Sequence, residues 1–244
     1  AQTVPPCTLE ITDAETFARD WTVIDVNSNV SANTWAYNDG NAMYTQDKSN
    51  AADDWLIAPA VTLEAGKAYK VSAYVKHSST FGSDKQKIEL KIGTAPTVEG
   101  LTTRLVYDES FQSRLFVEKS GTFSPAESGV FYVGLRCYSG SYMGDLYFQK
   151  IVIEEAPVYP VQITDLSIVA GERGAMSATL SWTWPSSDHL GGALSNLLGA
   201  KIYRGTDLVA TLDTATVGGK AGWIDSSIET AGNYTYKVVA YNTF

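Results

Sequence analysis

An alternation of apolar and polar residues with period two constrains the fold of this chain more than any other feature. It is clearest over residues 53–75, where the apolar run Trp55–Ile57 ends at Pro59 and a Glu-Ala-Gly-Lys turn at residues 64–67 reverses the chain. Residues 69–75 then alternate again. Because successive side chains of a strand point to opposite faces, this stretch predicts a β-hairpin with one buried face.

The same pattern predicts strands along the whole chain. The chain has 6 Trp, 14 Tyr and 8 Phe, and no apolar segment keeps helical spacing over three turns, which favours an all-β fold. Asp13 is placed to cap one helical turn, and residues 38–52 are predicted to form a polar loop. Further strands are predicted at residues 7–12, 21–29, 85–93, 104–107, 115–123, 130–138, 145–154, 163–169, 177–184, 200–204, 208–212, 222–225 and 234–241.

A short joint at residues 154–160 divides the chain. It contains two acids and two prolines, a composition typical of a stiff linker. The sequence therefore predicts two domains, residues 1–156 and residues 157–244. Because the chain stops at Phe244 directly after the last predicted strand, we expect the second sandwich to lack its last strand.

Charge and hydropathy exclude several classes of partner. The formal net charge is −9 and the 18 basic residues form no cluster, so a nucleic-acid partner is not expected. The same acidity disfavours anionic membrane surfaces. No apolar run is long enough to span a bilayer, and membrane insertion is therefore not expected.

Two cysteines, Cys7 and Cys137, lie far apart in the first domain. One interpretation is a disulfide that joins an early strand to a late one, and the other is two small buried residues. A zinc site is not expected, because only His77 and His189 could supplement the two thiols.

Oxygen-bearing side chains recur at every second position after an early strand, at Asp25, Asn27 and Asn29. Such a series converges on calcium when the loop curls, so these three residues are the candidate metal ligands. The alternative is an Asx turn, in which Asn and Asp bond to their own backbone. No other cofactor is predicted.

The second domain resembles a fibronectin type III module. The resemblance depends on Leu180-Ser181-Trp182 with Pro185 and on Gly232–Asn242. It implies an immunoglobulin-like sandwich in which Tyr234 is the corner tyrosine, whose hydroxyl bonds to nearby backbone. Such modules are most often spacers.

The first domain resembles the cleaved-adhesin, or choice-of-anchor J, modules of secreted and surface proteins of Bacteroidetes. The matching segments are Trp21–Asp25, the turn before Trp35, Asp53–Pro59 with Leu63 and Gly66, and, more loosely, Val133–Tyr138 and Leu146–Ile153. The resemblance implies a two-sheet jelly roll, export, and adhesion or binding of host protein or glycan. The fold class expected is therefore all-β, a jelly-roll sandwich followed by a fibronectin-like one.

No catalytic residue is predicted. His77 is expected to be a loop residue, and the sequence contains neither a Gly-x-Ser-x-Gly elbow nor a phosphate-binding glycine loop. Neighbouring acids such as Asp53 and Asp54 point to opposite faces of an extended strand and cannot act together.

Aromatic residues at strand ends and loops are the better candidates for function, because an exposed ring can stack on a sugar or anchor a protein. They are Trp35, Tyr37, Trp55, Tyr138 and Tyr142. The alternative is that they fill the core, an interpretation favoured for Trp55. The predicted function is non-catalytic binding of an extracellular protein or glycan by a secreted or surface protein. The alternatives are an ancillary region of a larger extracellular hydrolase and a purely structural module.

Overall fold

The computed structural model describes residues 3–244. The chain divides after Ala156 into two compact units, which we call the first unit and the second unit. The sheets of both units are built from antiparallel strands.

The first unit is a two-layer jelly-roll sandwich. Its strands within residues 3–156 are β1 Cys7–Glu10, β2 Thr22–Asp25, β3 Trp35–Asn38, β4 Asn41–Tyr44, β5 Asp54–Ile57, β6 Val61–Leu63, β7 Ala68–His77, β8 Gln86–Gly93, β9 Thr103–Phe111, β10 Val117–Phe123, β11 Gly129–Cys137 and β12 Leu146–Ala156. One sheet has the order β10-β7-β12-β4-β3 with β1 paired to β12, and the other has the order β2-β5-β11-β8-β9 with β6 paired to β11.

Period-two alternation explains how the core of the first unit forms. Leu56, Leu135 and Leu90 are aligned across β5, β11 and β8, and all three are buried between the sheets. Val71 and Ile151 are buried in the same core from the facing sheet. Residues one position away point to the outer faces, so the register decides which side chains can form a surface.

Helix α1 spans Ala14–Asp20, and the predicted cap at its start is confirmed. The Asp13 carboxylate accepts a hydrogen bond from Thr16 N (2.8 Å). Phe17 is the residue that the helix buries. Within the described range, no helix has the length and apolar character that crossing a membrane requires.

The polar loop predicted over residues 38–52 is wrong in its first part, because β3 and β4 form a hairpin there. Its turn is Asp39-Gly40, and both residues have positive φ (44° and 77°). Two-residue hairpin turns favour Asp-Gly, since glycine adopts this conformation without steric cost. The Asp39-Gly40 dipeptide was therefore the local sequence signal for this hairpin.

The cysteines are both free thiols, so the disulfide interpretation is wrong. Cys7 lies opposite Ile153, far along β12 from its first residue, Leu146. Cys137 ends β11 in the other sheet. The two therefore lie in different sheets and toward opposite ends of the sandwich, much farther apart than a disulfide allows. Cys137 is fully buried, and burial raises the pKa of its thiol to about 12.

The second unit contains two smaller sheets. The strands within residues 157–244 are β13 Ser167–Ala170, β14 Ala178–Thr183, β15 Gly199–Arg204, β16 Asp207–Leu212, β17 Lys220–Asp225 and β18 Tyr236–Tyr241. They form the sheets β13-β14-β17 and β16-β15-β18. Leu180 and Trp182 are buried in the core of this unit, as the alternation predicts. A short 3₁₀ turn occupies Glu172–Gly174.

Two strands of the second unit differ from expectation at their starts. The strand predicted at residues 163–169 begins only at Ser167, and the last strand begins at Tyr236 rather than at Tyr234. Tyr234 precedes β18, and its hydroxyl donates to the Thr230 carbonyl (2.7 Å). The predicted bond from this hydroxyl to nearby backbone is therefore confirmed.

Candidate functional site at the loop end of the first unit

Five loops meet at one end of the first unit, which we call the loop end. Each loop begins or ends at a strand terminus, and these termini are paired with each other. Asp25 at the end of β2 lies opposite Asp54 at the start of β5, and Cys137 at the end of β11 lies opposite Ile88 near the start of β8. Antiparallel pairing brings these connections to the same edge of the sandwich. The loops are residues 26–34, 45–53, 78–85, 112–116 and 138–145.

Loop 138–145 is held by hydrogen bonds to its neighbours on several sides. Their partners come from loop 45–53, from Ser78 directly after β7 and from the start of β8, so the loop has little freedom to move. The bonds run from Gly144 N to Gln46 Oε1 (2.8 Å), from Tyr142 N to the Asp47 carbonyl (2.8 Å), from Gln86 Nε2 to the Gly144 carbonyl (2.7 Å) and from Asp145 N to Ser78 Oγ (2.7 Å).

Tyr142 is the exposed residue of this anchored loop. Its φ is 59°, in the left-handed region that non-glycine residues rarely adopt, and 60% of its surface is exposed. A residue keeps such a conformation when its surroundings determine it, and strained positions of this kind concentrate at functional sites. The fold therefore presents one aromatic ring to solvent from a fixed backbone.

Sequence reasoning missed two residues that organise this loop end. Gln86 is fully buried and bonds loop 138–145 at two points, because it donates to the Gly144 carbonyl and accepts from Ser139 Oγ (2.5 Å). Asp47 accepts from Ser49 N and Asn50 N, and these bonds lower its pKa to about 2. The run Asp47-Lys48-Ser49-Asn50 is a recognisable Asx turn, but no local signal marks Gln86.

His77 was expected to be a loop residue, and that prediction is wrong. It is the last residue of β7, buried beneath loop 138–145, and its Nε2 lies 2.5 Å from the Met143 carbonyl. Its position makes it a support for the loop that presents Tyr142.

Trp35 and Trp55 are both buried, which contradicts their prediction as ligand-contacting rings. The Trp35 indole N–H donates to the Asp54 carbonyl (3.2 Å), and its ring packs edge-on against Tyr44. Trp55 points to the outer face of β5 but lies under Leu101, a residue of the loop between β8 and β9. A loop distant in sequence thus turns an outward position into a core position.

The two remaining predicted rings are only partly accessible. Tyr37 is half-buried and packs against the main core. Tyr138 stacks on Tyr107, with ring centroids 6.2 Å apart. Burial, together with Tyr107, raises the pKa of the Tyr138 hydroxyl.

A second group of side chains at the loop end has oxygen atoms that are buried and lack hydrogen-bond partners. Asp25 and Asp54 lie directly opposite each other on β2 and β5. Both point inward, on the same face as Val23 and Leu56, and Asp54 is fully buried. Asp25 Oδ1, Asp54 Oδ1, Asn27 Oδ1 and Thr34 Oγ1 are buried and have no hydrogen-bond partner.

The electrostatics of this group are unfavourable without a cation. Burial raises the pKa of Asp54 to about 7, and the adjacent Asp25 carboxylate adds to this effect, whereas the Thr34 hydroxyl opposes it. Buried polar atoms are nearly always satisfied in native proteins, so orphaned oxygens of this kind require an explanation.

The predicted calcium ligands are thus only partly brought together. The Asn27 Nδ2 donates to the Ala51 carbonyl in the loop before β5 (2.7 Å), and the Asn27 Oδ1 is buried without a hydrogen-bond partner. Asn29 is exposed, and nothing places it with Asp25 and Asn27. Within residues 3–244, no three side chains of His, Cys, Asp or Glu form a metal-binding group. The available set is two carboxylates, one amide and one hydroxyl, which are hard oxygen donors suited to calcium.

Comparison with known proteins found neither a matching family model nor a matching curated sequence. Solved structures of similar fold include two cleaved adhesin domains of Lys-gingipain from Porphyromonas gingivalis. The K1 domain is 15% identical and has a TM-score of 0.44, with 62% of this chain and 99% of that one covered. The K3 domain is 11% identical and has a TM-score of 0.43, with 59% and 92% covered.

A xylan-binding domain of Xyn10C from Paenibacillus barcinonensis is also similar. It is 12% identical and has a TM-score of 0.39, with 64% of this chain and 97% of that one covered. Identities and TM-scores of this size assign no ligand to this chain.

Proposed function

We propose that this chain is a non-catalytic binding region of a secreted or cell-surface protein, and that its loop end contacts an extracellular protein or glycan. The observation that supports this proposal is Tyr142, an exposed ring on a left-handed residue of an anchored loop. A tyrosine ring offers apolar area and a hydroxyl, and it loses little entropy when only two torsions must be ordered.

Rigidity is the physical basis of the proposed binding. Loop 138–145 is already ordered by Gln46, Asp47 and Gln86, so a partner does not have to supply the free energy that orders it. Aromatic residues held in this way are typical of the few positions that dominate the affinity of an interface.

The proposal is tested by screening the wild-type protein against glycan and extracellular-matrix arrays, and then measuring the affinity of Tyr142→Ala for any ligand found. We expect a loss of tenfold or more, about 1.4 kcal/mol or above. The matched control is Tyr159→Ala, which removes another exposed ring in the second unit. The proposal fails if the wild type binds nothing, or if both variants bind as the wild type does.

We further infer that Asp25, Asn27 and Asp54 hold a calcium ion, with Thr34 close by. The supporting observation is the four buried oxygens without partners, one of them on the fully buried Asp54. A bound cation would satisfy these oxygens, offset the repulsion between the two carboxylates and tie loop 26–34 to β5. Its role would be to stabilise the loop end.

A further inference from the structure

The outer face of the second sheet of the first unit carries a row of side chains that shares only Tyr138 with the loop end. Tyr107 on β9, Glu89 on β8 and Arg136 on β11 are directly opposite one another. They lie one position away from the inward-facing leucines, and hence on the solvent side of the sheet. We call Tyr107, Tyr138, Arg104, Arg136, Lys91 and Glu89 the outer cationic face.

Glu89 is the centre of this face, and only 2% of its side chain is exposed because cations cover it. Arg104 Nε lies 2.7 Å from its Oε1, and Arg136 Nη1 lies 3.4 Å from its Oε2. Lys91 Nζ is 3.6 Å from Oε1. One buried carboxylate is thus surrounded by three cations.

The charges of the outer cationic face do not balance. Arg136 also pairs with Asp53 (2.8 Å), so three cations face two carboxylates and one positive charge is in surplus. The neighbouring Lys87 and Glu109 pair with each other and leave the surplus unchanged. A local excess of positive charge stands out in a chain whose formal net charge is −9.

Arg104 presents the unused donors. Its side chain is 56% exposed, and among residues 3–244 only its Nε has a hydrogen-bond partner. Its two terminal nitrogens therefore face solvent in the fork geometry that matches a carboxylate. The bond to Glu89 raises the pKa of Arg104, so the charge persists at every physiological pH.

Aromatic rings hold these cations in place. The Arg104 guanidinium lies 4.5 Å from the centroid of Tyr107, and Arg136 lies 5.0 Å from that of Tyr138. The two rings stack on each other at an interplanar angle of 21°. Stacking restrains both arginines before any ligand arrives, which lowers the entropy cost of binding.

We propose that the outer cationic face binds a glycan that carries carboxylates, such as a chain of uronic acids. The carboxylate would pair with the terminal nitrogens of Arg104, and the sugar ring would lie beside Tyr107, of which 51% is exposed. An open sheet face with one surplus charge fits an extended chain bearing one carboxylate per sugar. Tyrosine supplies the apolar contact and the hydroxyl that sugars need.

This proposal goes beyond the loop-end function and does not depend on it. The probe is polygalacturonate, and the comparison polymer is the same polysaccharide with its carboxyl groups reduced. We expect affinity electrophoresis to show retardation by polygalacturonate alone, and the effect to weaken as salt is added. The net negative charge of the protein opposes adventitious binding of polyanions, so retardation reports on the local face.

Two variants locate the site. Arg104→Gln is expected to weaken binding about tenfold, which corresponds to about 1.4 kcal/mol. The matched control Arg19→Gln removes an arginine of similar exposure (64% against 56%) that is also paired with a carboxylate, Asp20, and it should bind as the wild type does. Tyr107→Ala should also weaken binding.

Several results would overturn the proposal. They are an absence of retardation, equal retardation by the carboxyl-reduced polymer, equal effects of Arg104→Gln and Arg19→Gln, or equal binding of poly-glutamate, which would mean that any polyanion suffices. Unfolding midpoints of all variants are measured alongside. If Arg104→Gln is misfolded, Tyr107→Phe and Tyr107→Ala decide the outcome, since a binding role for the ring requires Phe to bind more tightly than Ala.

Discussion

Asp54 in the first unit and Asp225 in the second are the two aspartates with no exposed surface, among the residues that the structure describes. Asp225 accepts hydrogen bonds from Ser227 N (2.9 Å), Ser227 Oγ (2.6 Å), Arg204 Nη1 (2.8 Å) and the Tyr236 hydroxyl (2.7 Å). Both of its oxygens are therefore satisfied by the protein itself.

Asp54 is equally buried, but far fewer hydrogen bonds satisfy its carboxylate. Its carboxylate accepts one hydrogen bond, from Asp53 N to Oδ2 (3.0 Å), and its Oδ1 has none. The charges that act on it are other carboxylates, those of Asp25 and Asp53, rather than an arginine.

The pKa values of the two groups express this difference. Burial alone would raise the pKa of Asp225, but the bonds from Ser227, Tyr236 and Arg204 outweigh it and lower the pKa to about 2. Burial raises the pKa of Asp54 to about 7. A satisfied buried carboxylate indicates a structural network, whereas an orphaned one indicates a partner still to be bound.

The largest expected effect comes from breaking the satisfied site. Asp225→Asn removes the charge that compensates Arg204, so we expect the second unit to lose about 3 kcal/mol of unfolding free energy. The change is measured by calorimetry or denaturant unfolding of the full chain. Asp207→Asn, at an exposed position of β16, is the control and should change stability by less than about 0.5 kcal/mol. Equal losses of unfolding free energy in the two variants would show that the Asp225 network stabilises the second unit no more than an exposed aspartate does.

Adding calcium tests whether the buried carboxylates of Asp25 and Asp54 bind a cation. Added calcium should raise the unfolding midpoint of the first unit, with about 2.7 kcal/mol of stabilisation when calcium is a hundredfold above its Kd, and a chelator should reverse the shift. Asp54→Asn should abolish the response, and Asp225→Asn should keep it.

The calcium-free state gives a further comparison between the two aspartates. In chelator, Asp54→Asn should unfold no earlier than the wild type, because it removes an uncompensated buried carboxylate. A wild-type midpoint that responds neither to calcium nor to chelator contradicts the calcium proposal.

Acid should affect the two units differently through Asp225. Its folded pKa of about 2 lies below the ordinary value of about 3.9, so the unfolded state binds the extra proton between these limits. Its contribution is complete above pH 4 and is lost as the pH falls toward 2, by about 2 kcal/mol. Calorimetry of the second unit over this range checks the slope, which Asp225→Asn should flatten. An unchanged slope in the variant would assign the acid sensitivity to other groups.

The smallest effect concerns single hydroxyls. Tyr236→Phe removes one hydrogen bond to Asp225 and should cost about 1 kcal/mol. Thr34→Val removes a hydroxyl that lies beside Asp54 and lowers its pKa but makes no well-formed hydrogen bond, so it should cost less than about 0.5 kcal/mol in calcium-free buffer. Denaturant midpoints compare the pair, and a larger loss for Thr34→Val would reverse the contrast between the two sites.

Much of the fold could be predicted from residue patterns. The alternation at residues 69–75 and 85–93 predicts β7 and β8, the Asp13 cap predicts the start of α1, and Leu180 and Trp182 mark the core of the second unit. These features depend on neighbours in sequence, whose geometry is repeated in every strand or helix. The hairpin of β3 and β4 had a local signal as well, in Asp39-Gly40.

The candidate site was much less predictable. Of the five aromatic residues that the sequence suggested, Trp35 and Trp55 are buried, and only Tyr142 is both prominent and held in place. Gln86, which holds its loop, had no local signal at all. Exposure and anchoring depend on residues dozens of positions away, so local patterns do not contain them.

The sequence by itself determined the strands, the turns and the alternation of the two faces, because backbone preference and period two act over a few residues. Only the tertiary structure decided which outward positions stay exposed. Leu101 covers Trp55, whereas Arg104 and Tyr107 remain open on the same sheet face. It also decided that Asp54 would be buried opposite Asp25, while Asp225 would be buried with an arginine. Whether a residue is buried depends on which side chains pack on it, and those side chains come from positions that are distant in sequence.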